Sequence, residues 1–319
     1  MLIGGLALFL IATVACAMAP SINLLIVARF AQAVGACAAI VLARAIVRDL
    51  FDGSEAARML SMMGALMGLV PAVAPVLGGV LETQFGWRAS FLLAAALACC
   101  LLAIVALLLP ETLNTEHRGR LSFGRMLKDF HGLSRDATFL RYAGAVCLGY
   151  AGLFAFISGS SHVLQRHYGL SELQFGFAFS VCVFGYIGGT LVGVRLGKTR
   201  DIPRLLFAGT VALAVGGVLM VIAMSSEVPR AWHVLVPMGV YMFGIGLTLP
   251  QSMAGAITPF PHAAGTASSL MGFAQMTFAA VVGIVTAEAI GYAPIALAWI
   301  IAALGMANLA LSLYWRTRS

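Results

Sequence analysis

Charged side chains are scarce in this sequence. Only 10% of its 319 residues are Asp, Glu, Lys or Arg, whereas 61% are hydrophobic. An average soluble domain has about 25% charged residues, so this chain has too few polar groups to cover a water-soluble globule. The composition therefore excludes an ordinary soluble protein and predicts that lipid surrounds most of the folded surface.

Residues for metal, redox or phosphate chemistry are few or wrongly spaced. The six cysteines include no Cys-x-x-Cys pair and lie mostly within apolar runs, which predicts buried small side chains rather than disulfides or metal ligands. The six histidines lie in or near loops, without the one-turn pairing expected of a haem or metal site. No Walker-type glycine loop and no nucleophile–base constellation is present. These absences argue against an enzyme or an ATP-driven pump, and no cofactor or metal is expected.

Long apolar runs dominate what remains. A bilayer core about 30 Å thick requires roughly 20 apolar residues per helix. Ten runs meet this length and predict about ten membrane-spanning helices. They cover 1–19, 22–43, 59–81, 88–109, 138–160, 173–194, 204–224, 232–253, 265–288 and 293–314.

The positive charges predict the orientation of these helices. Lys and Arg accumulate on the cytoplasmic side of membrane proteins. If residue 1 is cytoplasmic, fifteen Lys and Arg fall in inside segments, three fall in outside segments, and Arg29 falls within a span. The cations are dispersed in short segments and form no continuous patch for phosphates, so no nucleic-acid partner is expected despite the net charge of +7. The sequence therefore predicts a cytoplasmic C-terminus.

The longest polar stretch, about 110–135, divides the apolar runs into four before it and six after it. This division predicts a first bundle over 1–109, a cytoplasmic linker over 110–137 and a six-helix bundle over 138–319. Within the linker, Phe123, Met126, Leu127 and Phe130 have helical spacing with basic residues between them. Such a helix could lie on the inner leaflet or simply be a solvated linker helix.

Arg29 is the most informative polar side chain within a span. A charge several residues inside a span costs a few kcal/mol and must face protein or water. Gln32 lies one helical turn away on the same side. One interpretation is that Arg29 senses the charge of a substrate or proton in a cavity, and the other is that it extends to the lipid headgroups.

Other spans contain helix-bending residues and aromatic or polar side chains. The third run is rich in glycine and proline, which favours close helix approach and bending. Its small or bending residues are Gly64, Gly68, Pro71, Pro75, Gly78 and Gly79. The later spans contain aromatic and amide side chains that would suit a cavity for varied amphiphilic ligands, although such residues also fill ordinary cores. We single out Tyr150, Phe154, Phe156, Tyr241, Gln251 and Gln275.

Several motifs occur in order along the whole chain. They are RFAQAVGA at 29–36 with RAIVRD at 44–49, APVLGG at 74–79, FAFISGS at 154–160, GIGLTLP at 244–250 and AGTASSLMGF at 264–273. Together they resemble the major facilitator exporters, in particular the bicyclomycin and chloramphenicol resistance (Bcr/CflA) group of drug:proton antiporters.

The resemblance implies an all-α integral membrane protein with the major facilitator fold, its ten helices equivalent to helices 3–12 in two bundles. It also implies proton-driven export of small molecules from the bacterial inner membrane by rocking of the two bundles, with the chain acting as a monomer. By the same resemblance, Arg29 and Gln32 would belong to the transport cavity and the glycine- and proline-rich helix to the interface between the halves.

The chain also departs from the family pattern. Counterparts of the first two helices, the acidic residue of the first helix and the Asp-containing loop before the third helix have no match, so we expect a longer encoded protein. Two alternatives to a drug exporter stay open at this stage. One is export of an endogenous metabolite such as an amino acid or nucleobase, and the other is a truncated membrane remnant without transport.

Overall fold

The computed structural model describes residues 2–51, 53–109, 123–197, 199–260 and 263–316. This part of the chain is almost entirely helical and contains no strand. Its helices are α1 (Leu2–Ala17), α2 (Ile22–Leu50), α3 (Gly53–Phe85), α4 (Arg88–Leu108), α5 (Phe123–Leu133), α6 (Ala137–Ser161), α7 (Glu172–Leu196), α8 (Ile202–Met224), α9 (Trp232–Ile257), α10 (Ala264–Tyr292) and α11 (Ala296–Arg316). A π-helical turn, His162–His167, continues α6.

The ten predicted spans correspond to α1–α4 and α6–α11, which confirms the all-α membrane fold. Among the described residues, seven helices are long and apolar enough to cross a membrane, and α6 with its π-helical turn counts as one of them. Shorter apolar stretches lie within the other three helices, at Leu2–Ala17, Ile22–Cys37 and Leu69–Phe85. The helix α5 lies where the amphipathic linker helix was expected.

The helix ends show why the chain folds locally as it does. Asp136 begins α6 by accepting a hydrogen bond from the backbone N–H of Phe139 at 2.9 Å. Ser171 and Gln174 begin α7 with a reciprocal capping box, in which each side chain accepts from the other residue's backbone N–H. Gly169, just before that cap, has φ of +72°, a conformation that glycine adopts without steric cost.

The helices group into two compact units, residues 1–120 and 121–319. In the first unit, α1 packs against α2 and α4. The contact between α1 and α2 is close because Gly35 lies directly against the backbone of Phe9. Arg88, at the start of α4, donates to the carbonyls of Ala17 and Ala19 at 3.1 and 3.3 Å and so satisfies acceptors at the end of α1.

In the second unit, α9 packs between α7 and α8, and α8 also packs against α11, while α6 contacts α9, α10 and α11. Glycines allow backbone contact on both sides of α9. Gly189 of α7 faces the backbone of Phe243, and Gly216 of α8 faces the backbone of Tyr241. Such contacts between small residues are a main source of helix association in lipid, where burial of apolar side chains gains little.

Candidate functional site

The polar centre of the first unit is a chain of three side chains on α1 and α2. The Arg29 guanidinium donates through Nη1 to Oε1 of Gln32 at 2.5 Å. Gln32 in turn donates through Nε2 to Oγ1 of Thr13 at 2.7 Å, and Thr13 donates to the carbonyl of Phe9 at 2.6 Å. Thr13 and Gln32 are buried, whereas Arg29 is exposed in this unit.

Arg29 also lies near an aromatic ring. Its guanidinium lies 5.7 Å from the centre of the Phe91 ring on α4. Within the described part of the chain Arg29 forms no ion pair, so its charge is balanced only by the Gln32 carbonyl oxygen and the ring face. An arginine keeps its charge at any physiological pH, so this site presents a permanent cation to whatever approaches it.

The residues of the glycine- and proline-rich run all lie within α3. Pro71 is exposed, Pro75 and Gly78 are half-buried, and Gly79 is buried. No atom lies within 4 Å of the position that a Gly78 side chain would take. The surroundings of Gly64 and Gly68 lie outside the described part of the structure. The role of this helix in contact between the halves therefore stays a prediction.

Three of the cavity candidates in the second unit lie on α6, and two of them, Tyr150 and Phe154, are half-buried. The rings of Tyr150 and Phe154 are 6.2 Å apart. A side chain placed on Gly283 of α10 would come within 3.2 Å of the Phe154 ring, so Phe154 packs at the contact between α6 and α10.

Two further candidates are buried inside the second unit. Phe156 is fully buried and stacks on Phe179 of α7, with ring centres 5.6 Å apart. Tyr241 is also fully buried, its hydroxyl lies against Gly152, and that hydroxyl has no hydrogen-bond partner among the described residues. Both side chains contribute to the core of this unit, and any contact with a substrate stays a prediction.

The two amides differ in environment. Gln275 of α10 is buried, with 7% of its surface exposed. Gln251 of α9 is half-buried, and its Nε2 lies 3.6 Å from the position that a side chain on Gly193 would take. The structure thus brings Arg29 and Gln32 together, and it places the other six candidates at several levels of the second unit.

Two polar residues in the structure were not singled out from the sequence. Thr13 completes the chain that begins at Arg29. Asn308 of α11 is fully buried and donates through Nδ2 to the carbonyl of Ala145 on α6 at 3.0 Å. A polar residue within an apolar run is the signal that both share, and it could have identified them.

Comparison with known protein families matches residues 1–284 to the Major Facilitator Superfamily. An uncharacterized MFS-type transporter of Bacillus subtilis (strain 168), YdgK, is 31% identical over 277 residues, which are 86% of this chain and 69% of that protein. A bicyclomycin resistance protein homolog of Haemophilus influenzae (strain ATCC 51907 / DSM 11121 / KW20 / Rd) is 26% identical over 260 residues, or 82% of this chain and 65% of the relative. The chain therefore spans about two thirds of the length of these relatives.

Among solved structures, the fold resembles that of the peptide transporter POT crystallised with alafosfalin. The TM-score is 0.73 at 16% sequence identity, over 98% of this chain and 78% of the other. The family model and the relatives confirm the predicted resemblance to Bcr/CflA-type exporters. The structural match confirms the major facilitator fold.

Proposed function

Because the chain belongs to the Major Facilitator Superfamily, we propose that it forms part or all of a secondary active exporter of drugs or small amphiphilic molecules. Membership makes it a transporter and not an enzyme. The observation that carries the export proposal is Arg29, a permanent cation within a span that donates a hydrogen bond to the buried Gln32 and lacks an ion-pair partner in the described residues. The name of the bicyclomycin resistance relative supports an antibiotic as one substrate.

We further propose that export is driven by proton exchange and proceeds by alternating access of two bundles, 1–109 and 138–319, joined by the linker 110–137. A cation within a span gives such a cycle a component that attracts or repels the charge of a substrate or proton. The partners of the transporter would then be a small-molecule substrate, protons and the surrounding bilayer. We place it in the bacterial inner membrane as a monomer.

The export proposal is tested in cells that lack their own major efflux pumps. The full reading frame should raise the concentration of bicyclomycin that inhibits growth, and Arg29→Ala should remove that resistance at equal expression. Arg166→Ala is the matched control, because Arg166 is exposed at the end of the π-helical turn, outside the span that contains Arg29. Unchanged resistance in Arg29→Ala would remove Arg29 from the mechanism.

Proton coupling is tested in everted membrane vesicles with ethidium as the transported probe. An imposed pH gradient should drive ethidium transport, and a protonophore should abolish it. Transport that persists without a gradient would contradict the antiport proposal while leaving export intact.

The orientation is tested with C-terminal reporter fusions. The fifteen-to-three distribution of cations predicts a C-terminus in the cytoplasm. A fused green fluorescent protein should therefore fluoresce, and a fused alkaline phosphatase should be inactive. The opposite pattern would invert the proposed topology.

A further inference from the structure

We propose that Thr13 is a positioning residue of the transport site and that it acts on Arg29 through Gln32. This inference rests on the proposed function of Arg29 and adds to it a residue on a different helix. Neither the sequence motif at 29–36 nor the charge of Arg29 points to α1, so the assignment comes from the hydrogen-bond geometry alone.

Phe9, Thr13, Gln32 and Arg29 form a series of hydrogen bonds, and the direction of each bond follows from the one before it. A threonine hydroxyl has one hydrogen, and that of Thr13 is donated to the Phe9 carbonyl at 2.6 Å. Toward Gln32 the hydroxyl can therefore only accept a hydrogen bond. Gln32 must then turn its Nε2 to Thr13, at 2.7 Å, which leaves Oε1 to face the Arg29 guanidinium.

The reversed amide would be unfavourable at both ends. The Gln32 oxygen would face the lone pairs of Thr13, and its NH₂ group would face the positive guanidinium. Thr13 is 0% exposed and Gln32 is 5% exposed, so water cannot replace the lost hydrogen bond between these two side chains. A buried polar group without a partner costs roughly 1–3 kcal/mol, which makes the observed amide orientation strongly preferred.

Arg29 depends on this orientation because packing does little to hold it. The Arg29 side chain is exposed in the first unit. Apart from the hydrogen bond to Gln32, its observed contact in the described residues is with the Phe91 ring, whose centre lies 5.7 Å from the guanidinium. Among the described residues, the Gln32 carbonyl oxygen is therefore the directional contact that fixes the guanidinium. A hydroxyl at position 13 on α1 thus sets the position of a cation on α2.

The first test replaces the hydroxyl by a methyl group of similar size. Thr13→Val removes the acceptor, so Gln32 can turn and Arg29 loses its fixed position. We expect kcat/KM for ethidium export in proteoliposomes to fall by about tenfold, a size typical of a lost positioning contact. Thr13→Ser keeps the acceptor and should restore export to near the original level.

A matched control separates positioning from a general effect of losing a buried hydroxyl. Thr286 of α10 is also 0% exposed, and its hydroxyl donates to the Val282 carbonyl of its own helix at 2.7 Å. Thr286→Val should leave kcat/KM within about twofold, since no other side chain is oriented by this hydroxyl in the described contacts. Equal losses in Thr13→Val and Thr286→Val would overturn the proposal.

A double-mutant cycle tests the route through Gln32. If Thr13 acts only through that amide, Thr13→Val should cause no further loss of export once Gln32 is Leu. Additive losses in the double variant would show that Thr13 acts independently and would refute the positioning role.

A readout without transport separates failure of this inference from failure of the proposed function. If the wild type exports no ethidium, the export proposal fails, but Arg29 can still be observed by nuclear magnetic resonance of protein labelled with ¹⁵N-arginine, its signal assigned with Arg29→Lys. We expect the guanidinium N–H groups of Arg29 to exchange with solvent faster in Thr13→Val than in Thr286→Val or Thr13→Ser. Identical exchange in all three variants would contradict the positioning of Arg29 by Thr13.

Discussion

The contact between α7 and α9 depends on the absence of a side chain at position 189. A Cβ atom added to Gly189 would lie 2.9 Å from the carbonyl carbon and 3.1 Å from the Cα of Phe243, and closer still to the carbonyl oxygen, whereas ordinary contacts are 3.4–4 Å. These atoms are backbone and cannot rotate away. In Gly189→Ala the two helices must therefore separate by roughly half an ångström or more.

The other side of α9 limits this separation. Gly216 of α8 faces the backbone of Tyr241, and Gly244 of α9 faces the backbone of Leu213 on α8. Overfilling a packed interior destabilises a protein by about 1–3 kcal/mol. Alanine has a higher helix propensity than glycine, which offsets up to about 1 kcal/mol of this loss. We therefore expect Gly189→Ala to destabilise the second unit by about 1–2 kcal/mol.

A natural cysteine reports on this interface. Cys182 of α7 is fully buried, and its Sγ lies 3.7 Å from the Leu235 carbonyl of α9. In a background without the other five cysteines, a maleimide dye should label Cys182 about 5–30 times faster in Gly189→Ala, because the destabilisation raises the population of the open interface. Thermal unfolding in detergent should show a lower Tm.

The neighbouring glycine is the control. A Cβ atom on Gly188 would meet only the Phe243 ring, at 3.8 Å, which is an ordinary contact. Gly188→Ala should leave the labelling rate and the Tm unchanged or slightly raise the Tm. Equal behaviour of the two variants would refute the close backbone contact between α7 and α9.

Three further predictions concern individual side chains. Tyr241→Phe removes a buried hydroxyl without a partner in the described residues, so the free energy of unfolding should fall by less than about 0.5 kcal/mol, or should rise. A clear fall in Tm would mean that the hydroxyl has a partner such as a buried water. Phe156→Ala should lower the stability of the second unit by about 3 kcal/mol, whereas Phe184→Ala, at an exposed position, should have little effect. Equal effects of the two variants in chemical denaturation would contradict the burial of Phe156. Arg88→Gln removes two hydrogen bonds to the end of α1, so amide exchange of residues 14–20 should become faster in mass spectrometry, and unchanged exchange would show that Arg88 does not hold that end.

The sequence predicted the spans well because their signal is local. Each apolar run of about 20 residues has to form a helix in lipid, whatever its neighbours are. The ends of α8 and α9 were therefore placed within a few residues of Ile202–Met224 and Trp232–Ile257. Among the described helices, α2 and α3 extend several residues beyond the predicted runs, into segments that contain charged residues.

The site was only partly predictable, for a physical reason. Gln32 could be paired with Arg29 because residues three positions apart are neighbours on one face of a helix, and this spacing can be read from the sequence. Thr13 lies nineteen positions earlier, and its contact with Gln32 depends on how α1 packs on α2 at Gly35. The environments of Phe156 and Tyr241 could not be predicted from the sequence either, because aromatic residues occur at lipid-facing, core and cavity positions alike.

The backbone contacts along α9 also restrict how this protein can evolve. A larger side chain on one helix can be accommodated by a smaller side chain on its partner, but a backbone carbonyl group has the same size in every residue. No substitution on α9 can therefore compensate for a larger side chain at Gly189 or Gly216, because the opposing atoms belong to the main chain. Related sequences should therefore vary along α6 and α10, where side chains such as Phe154 form the contact, and keep glycine at positions 189 and 216.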